Sequence, residues 1–307
     1  MRKSRFNRDD SVFISDLTGF PEGYEKPFID DPEYTPYKSS QLSYANTFPN
    51  SYRAVIIRTI EWLTGKLTLL RLVRIYESTG RFPNQTFFSK ALELLEIELL
   101  TPFEEMTKIP KEGPVIILAN HPHGLVDGLV LAEICERTRN DFKILTRELL
   151  NTIPEIQDNL LPVAFPHEED MLRKNLQMRQ EAMNHLNNKG VIILFPSGQI
   201  ASSKGWFDPA EEAEWGPFTA KLIRRSKARI VPIFFPGKNS RYYNWANLIS
   251  ATLRQSMLLH EIANARKKPQ KPVIGDVIER AEIDAFQGKT TEFMAWLRNR
   301  TLALKET

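Results

Sequence analysis

Several shortages narrow what this chain can be. It has one cysteine, Cys135, in 307 residues, so no intrachain disulfide can form and a reducing compartment is expected. No uninterrupted apolar run approaches the roughly 20 residues of a spanning helix, so no membrane crossing is expected. Met1–Asp10 is polar and charged and lacks the apolar segment of a secretory leader. The net charge is only +3, which gives no whole-chain argument for a nucleic-acid partner. Histidines number five. His167, His185 and His260 stand in no metal-ligand spacing with a neighbouring histidine. A metal reading therefore rests on His121, His123 and Asp127 alone, fewer ligands than a binuclear hydrolase needs.

What remains is a chain that is 42% hydrophobic and 26% charged, the balance of a folded protein long enough for a large core. Two basic clusters stand out: Lys221, Arg224, Arg225, Lys227 and Arg229, then Arg266, Lys267, Lys268 and Lys271. Each reads equally as a solvated face or as a surface for an anionic lipid or a phosphorylated donor.

Residues 1–50 are rich in Asp, Pro, Ser and Tyr with weak periodicity and read as an extended or partly disordered arm draped over the body. Residues 51–105 read as an amphipathic helical hairpin. In its first helix, 52–77, Val55, Ile56, Ile60, Leu63, Leu67, Leu70 and Val73 recur at helical steps, and Gly65 suggests a bend or break. Trp62 suits a membrane-interface anchor, although the same stripe suits packing on a protein core. The second helix starts at Asn84 or Thr86 and is predicted to end at Leu99 or Leu100. From 106 to 307 the rhythm becomes α/β. Apolar runs at Val115–Ala119, Phe142–Leu145, Val191–Phe195, Ile230–Phe235 and Pro272–Ile274 alternate with helical stretches near 127–138, 168–188, 216–227, 241–265 and 289–304. That alternation predicts a mostly parallel central sheet flanked by helices.

Three of these strands run into small polar turns, where open α/β sheets place their chemistry. The first turn is Asn120-His121-Pro122-His123-Gly124-Leu125-Val126-Asp127-Gly128. His121 is the candidate general base. Asp127 is the carboxylate that would fix its tautomer and stabilise the imidazolium. A capping histidine and an N-cap aspartate are the plainer readings of the same residues. His123, four residues before Asp127, offers a competing geometry. The second turn, Phe195-Pro196-Ser197-Gly198-Gln199, followed by Ser202-Ser203-Lys204, can bind a polar headgroup or an oxyanion. Ser197 is a poor nucleophile candidate, because Phe195 occupies the first glycine position of a Gly-x-Ser-x-Gly elbow. The third is Pro236-Gly237-Lys238-Asn239-Ser240.

In order, these blocks resemble the lysophospholipid and glycerol-phosphate acyltransferase family, whose hallmark is Asn-His, four residues, then Asp, followed by Phe-Pro-Glu-Gly and a Val-Pro strand. Here five residues separate His121 from Asp127, which looks like the hemolysin-like or ornithine-lipid acyltransferase branch with its Asn-His-Pro-x-Gly-Gly-x-Asp-Gly. Asp208-Pro209, Trp215-Gly216-Pro217-Phe218 and Gly237-Lys238-Asn239-Ser240 follow in that branch's order. The resemblance spans about residues 50–305. It implies a glycerolipid acyltransferase-like fold and an O-acyltransferase that moves an acyl chain from acyl-CoA or acyl carrier protein to a lysolipid or glycerolipid hydroxyl. No cofactor and no metal are implied. His121 and Asp127 would be catalytic. His123, Gly124, Phe195, Pro196, Ser197, Gly198, Gln199, Lys204, Lys238, Asn239 and Ser240 would bind substrate. The protein would act peripherally on the cytoplasmic side of a membrane. The expected glutamate of the second block is missing, since Ser197 and Gln199 stand in its two usual places. Ile200 replaces a frequent arginine, for which Lys204 or Lys238 are candidate substitutes. That departure motivates an alternative, a non-catalytic lipid-binding protein on the same fold; a metal-dependent hydrolase is a third reading.

Overall fold

The computed structural model describes residues 27–30, 34–47, 52–79, 86–147, 153–164 and 170–306. The amphipathic stretch at 52–77 is one helical rod: α1 (Tyr52–Glu61), a π-helical turn (Trp62–Lys66) and α2 (Leu67–Ser78). Gly65 does not break it. A Cβ at Gly65 would sit 2.6 Å from the carbonyl oxygen of Leu259, so the missing side chain lets the rod close onto a later helix. Two buried carboxylates on this rod hold the described part of the N-terminal region. Glu61 accepts hydrogen bonds from Ser43 Oγ at 2.6 Å and the Tyr44 N–H at 2.8 Å. Glu77 accepts from Tyr34 Oη at 3.0 Å and the Tyr37 N–H at 2.5 Å. The arm residues 1–26, 31–33 and 48–50 lie outside the described residues, as does Asn84.

The second helix, α3 (Phe87–Leu94), starts on a Thr86 cap and ends five residues before the predicted Leu99. Glu96 adopts a φ of 54°, and the Ile97 N–H returns to the Leu92 carbonyl, which closes the helix. Leu99 then pairs with Gln270 as an isolated bridge. Tertiary pairing has overridden an apolar pattern that would otherwise continue helically. A short helix, α4 (Phe103–Met106), leads into β1 (Val115–Ala119), then α5 (Leu125–Glu136) and β2 (Phe142–Arg147).

The chain continues through β3 (Leu160–Val163), α6 (Met171–Asn187) and β4 (Val191–Leu194), then a two-stranded ribbon of β5 (Ser202–Ser203) and β6 (Ala210–Glu211). After α7 (Pro217–Arg225) and β7 (Arg229–Phe234), the expected long helix at 241–265 is three helices: α8 (Arg241–Ile249), α9 (Ala251–Ser256) and α10 (Leu258–Ala265). Ser250 is extended and its side chain accepts the Leu253 N–H, so a serine cap interrupts the periodicity. β8 (Val273–Ile274), α11 (Arg280–Ala285) and α12 (Thr290–Ala303) complete the chain.

The main sheet has the order β3-β2-β4-β1-β7-β8. All pairings are parallel except β7 with β8. Alternate residues of β1 explain its unbroken apolar run, because both faces are covered. Val115, Ile117 and Ala119 join the cluster that includes α5 and helices α1–α3. Ile116 and Leu118 join the one built from α6, α7 and α12. Parallel pairing puts the carboxyl ends of β1, β2, β3, β4 and β7 on one edge. The three polar turns, at 120–124, 195–200 and 235–240, therefore share that edge.

Candidate active site

Asn120 locks two of these turns together. Its side-chain Nδ2 donates to the Phe235 carbonyl at 2.9 Å, and its Oδ1 accepts the Phe235 N–H at 2.7 Å. The 195–200 turn joins through the Ala201 N–H, which donates to the His121 carbonyl at 2.8 Å. His121 thus leaves the end of β1 with its backbone tied on both sides.

Asp127 lies in the first turn of α5 and is fully buried. Its two oxygens meet three donors. Oδ2 accepts from His121 Nδ1 at 3.1 Å and from the His123 N–H at 2.8 Å, and Oδ1 accepts from His123 Nδ1 at 2.9 Å. Burial pushes the Asp127 carboxyl up, but hydrogen bonds from both imidazoles outweigh it and hold the group below the usual carboxylate range. An ionised carboxylate only accepts, so both rings carry their proton on Nδ1 and the remaining lone pair, in a neutral ring, lies on Nε2. Burial lowers His123, yet its hydrogen bond and charge interaction with Asp127 win, and its net shift is upward.

The two rings differ in surroundings. His121 lines a cavity of about 510 Å³, a size typical of ligand pockets, and Phe195 stacks on its face with centroids 3.8 Å apart. His123 does not line that cavity. Its ring presses on Gly237, where an added Cβ would meet His123 Nε2 at 2.5 Å and the φ of 111° already demands glycine.

Of the other candidate residues, Gly124, Phe195, Pro196, Gly198 and Gln199 line the cavity with His121. Gly124 caps α5 at a φ of 75°. Ser197 turns away into a local turn, its hydroxyl donating to the Gln199 carbonyl at 2.9 Å. Lys204 and Glu211, both exposed, pair at 2.9 Å beside the β5–β6 ribbon. Lys238 is exposed, and neither lysine is among the cavity-lining residues. Asn239 is buried, with its Nδ2 unpartnered among the described residues. Ser240 caps α8 and donates its hydroxyl to the buried Glu261. Lys227 and Arg229 enter β7 at its amino end, opposite the site, and Arg229 is held by the Glu112 carbonyl. The His167 position lies outside the described residues.

Two features were not legible as part of the site. Glu212 reaches His121 across 91 positions: its Oε2 accepts the His121 N–H at 3.0 Å and its Oε1 accepts Trp215 Nε1 at 3.0 Å. Arg254 on α9 lines the cavity. Neither sits in a short motif; the only local signal for Glu212 is its place between Asp208-Pro209 and Trp215. Among the described residues, no group of three or more His, Cys, Asp and Glu side chains is arranged to hold a metal ion.

The Acyltransferase family model matches residues 101–235, from the approach to β1 through the end of β7. This segment is similar to the Acyltransferase family. Two relatives are similar to part of the chain. Both are named lyso-glycine lipid O-acyltransferase. The one from Phocaeicola vulgatus is 25% identical over 169 residues, covering 54% of this chain and 57% of that protein. The one from Bacteroides thetaiotaomicron is 26% identical over 168 residues, covering 54% and 58%. The chain spans somewhat over half the length of these relatives. The crystal structure of the 1-acyl-sn-glycerophosphate acyltransferase PlsC from Thermotoga maritima aligns with a TM-score of 0.47 at 14% identity, over 86% of this chain and 85% of that one.

Proposed function

We propose that this protein is an O-acyltransferase that moves a fatty acyl chain from a thioester donor, acyl-CoA or acyl carrier protein, to the hydroxyl of a lysolipid. The observation that carries the reading is the His121–Asp127 pair, with the His121 ring lining a mostly apolar cavity. The relatives' printed activity makes a lyso-glycine lipid, or a lysolipid of similar polarity, the acceptor class to test first.

In the mechanism, His121 Nε2 takes the proton of the acceptor hydroxyl as that oxygen attacks the thioester carbonyl. The tetrahedral oxyanion is stabilised by polar groups of the surrounding turns, then collapses and expels the thiolate, which receives the proton from the imidazolium. Asp127 remains ionised throughout, holds Nδ1–H, and offsets the positive charge formed on the ring. Phe195, stacked on the imidazole, restricts its rotation and shields it from water. The cavity walls, including Leu129, Ile144, Leu160 and Met178, suit an acyl chain.

The protein works on a membrane surface, on its cytoplasmic side. Supporting this, the α1–α2 rod exposes Tyr52, Val55, Trp62, Leu63 and Leu67, and an acceptor lysolipid resides in a bilayer. No helix among the described residues is long and apolar enough to cross a membrane.

The test is transfer of a labelled acyl group from acyl-CoA or acyl carrier protein to a lysolipid panel by wild type and by His121→Ala. The reading expects transfer by wild type and a loss of about 10²–10⁴-fold in the variant, the usual contribution of a general base. Lipid binding without transfer to any acceptor would leave a non-catalytic lipid-binding protein. Such an outcome would fit the absence of a carboxylate from the Phe195–Gln199 block.

A further inference from the structure

We propose that Arg254 binds an anionic oxygen group, a carboxylate or a phosphate, on a substrate held in the His121 cavity. The proposal rests on the acyltransferase reading for its substrate and on the following contacts for its chemistry.

Among the described residues, the lining of the cavity that reaches His121 has two charged side chains besides the histidine, Arg179 and Arg254, and no Asp or Glu. Arg179 is exposed on α6, its guanidinium 5.0 Å from the centroid of the Phe218 ring. Arg254 is half-buried on α9 and is held differently. Its Nη1 donates to Asn247 Oδ1 at 2.9 Å, while Asn247 Nδ2 donates to the Ser203 carbonyl at 3.3 Å. Asn244 ties the same strand, its Oδ1 accepting the Ser203 N–H at 3.0 Å. The guanidinium is therefore oriented by an uncharged amide that is itself anchored to β5, the strand that continues the Gln199–Ile200 turn.

Orientation by an amide differs physically from orientation by a carboxylate. It fixes the fork without neutralising it, and among the described residues one of five N–H donors is used. Among the described residues Arg254 forms no ion pair, so its charge is left for a ligand. A half-buried, pre-oriented guanidinium beside an apolar cavity matches a planar carboxylate or a phosphate, which it can grip through two parallel hydrogen bonds. Lys204 and Lys238 are the cations that the motif blocks themselves offer for this role. The first is committed to Glu211, and neither lines the cavity.

Such an anion has two sources in the proposed reaction, the acceptor's head group and the donor's phosphates. Steady-state kinetics on wild type, Arg254→Gln and Arg254→Lys separates them. The acceptors are a hydroxyl-bearing N-acylglycine against its methyl ester, and lysophosphatidate against monoacylglycerol. Arg254→Gln is expected to raise KM about 10–100-fold for the anionic partner alone, with kcat near wild type and partial rescue by Arg254→Lys. A rise confined to the charged acceptors, absent for the ester and for monoacylglycerol, places the anion on the acceptor. An equal rise in the donor KM with every acceptor places it on the donor. Unchanged KM values for both substrates in a folded Arg254→Gln overturn the proposal while leaving acyl transfer standing. If wild type transfers to nothing, the activity reading fails instead. Calorimetric titration with the N-acylglycine, its methyl ester and CoA still decides the anion site, and affinities equal in wild type and Arg254→Gln for every probe overturn it.

Discussion

Asp127→Asn is the most informative single change, because the shared carboxylate makes its outcome calculable. In a site with one histidine, an amide at this place can turn its NH₂ toward the ring and force the wrong tautomer. Here the neighbours choose the amide's orientation. The Oδ2 position receives two donors, His121 Nδ1–H and the His123 N–H, so the amide oxygen belongs there. The NH₂ then faces His123 Nδ1, which can lose its proton and accept instead. All three hydrogen bonds survive, His121 keeps its tautomer, and only the negative charge is lost. A full charge about 4 Å from the developing imidazolium is worth roughly 4 kcal/mol at an effective dielectric constant of about 20. The expected result is a fall in turnover of about 10³-fold, with little change in lipid affinity. Asp127→Ala, by contrast, strands buried donors and is expected to cost about 3–5 kcal/mol of stability. Single-turnover transfer of a labelled acyl group, with thermal unfolding of the same samples, reads both effects. Turnover within threefold of wild type in a folded Asp127→Asn would refute the electrostatic role and leave Asp127 as a structural clamp.

The remaining predictions are these. Gly237→Ala places a methyl on the His123 ring at a positive φ, so a loss of about 1–3 kcal/mol in stability is expected; a melting temperature equal to wild type would show the ring free to move aside. The folded-state value of His123 is raised, so its ion pair with Asp127 contributes fully below about pH 6.5 and fades as pH rises through the shifted value. The stability gap between wild type and His123→Gln should therefore be wider at pH 6 than at pH 9, and a constant gap in denaturant titrations would contradict that. Changing Trp62 and Leu63 to Ser removes two exposed apolar side chains from the α1–α2 rod. Liposome flotation is expected to fall about tenfold or more, and undiminished flotation would remove the rod from the membrane contact.

The strands were legible because their cause is local. A run such as Val115–Ala119, buried on both faces, has few alternatives to the centre of a parallel sheet, and the predicted and observed bounds coincide. The helix ends were less legible. α3 stops at Leu94, and the 241–265 stretch divides at Ser250 and Met257, because pairing with Gln270 and a serine cap outweigh continuing periodicity. The strand β3 was missed. Its Leu-Leu-Pro-Val carries a proline that weakens a strand reading, and it lies on the sheet edge where proline is tolerated.

By itself, the order of residues determined the layered α/β plan and the meeting of His121, His123 and Asp127, since all three lie within seven positions at a strand-to-helix turn. Tertiary structure alone decided how that carboxylate is divided. It gives one ring to the cavity under Phe195 and packs the other against Gly237, because the third turn arrives from more than 100 residues away. It also brought Glu212 to the His121 backbone and Arg254 to the cavity. Contacts between segments that distant depend on how helices pack around an open sheet, and no local periodicity encodes that.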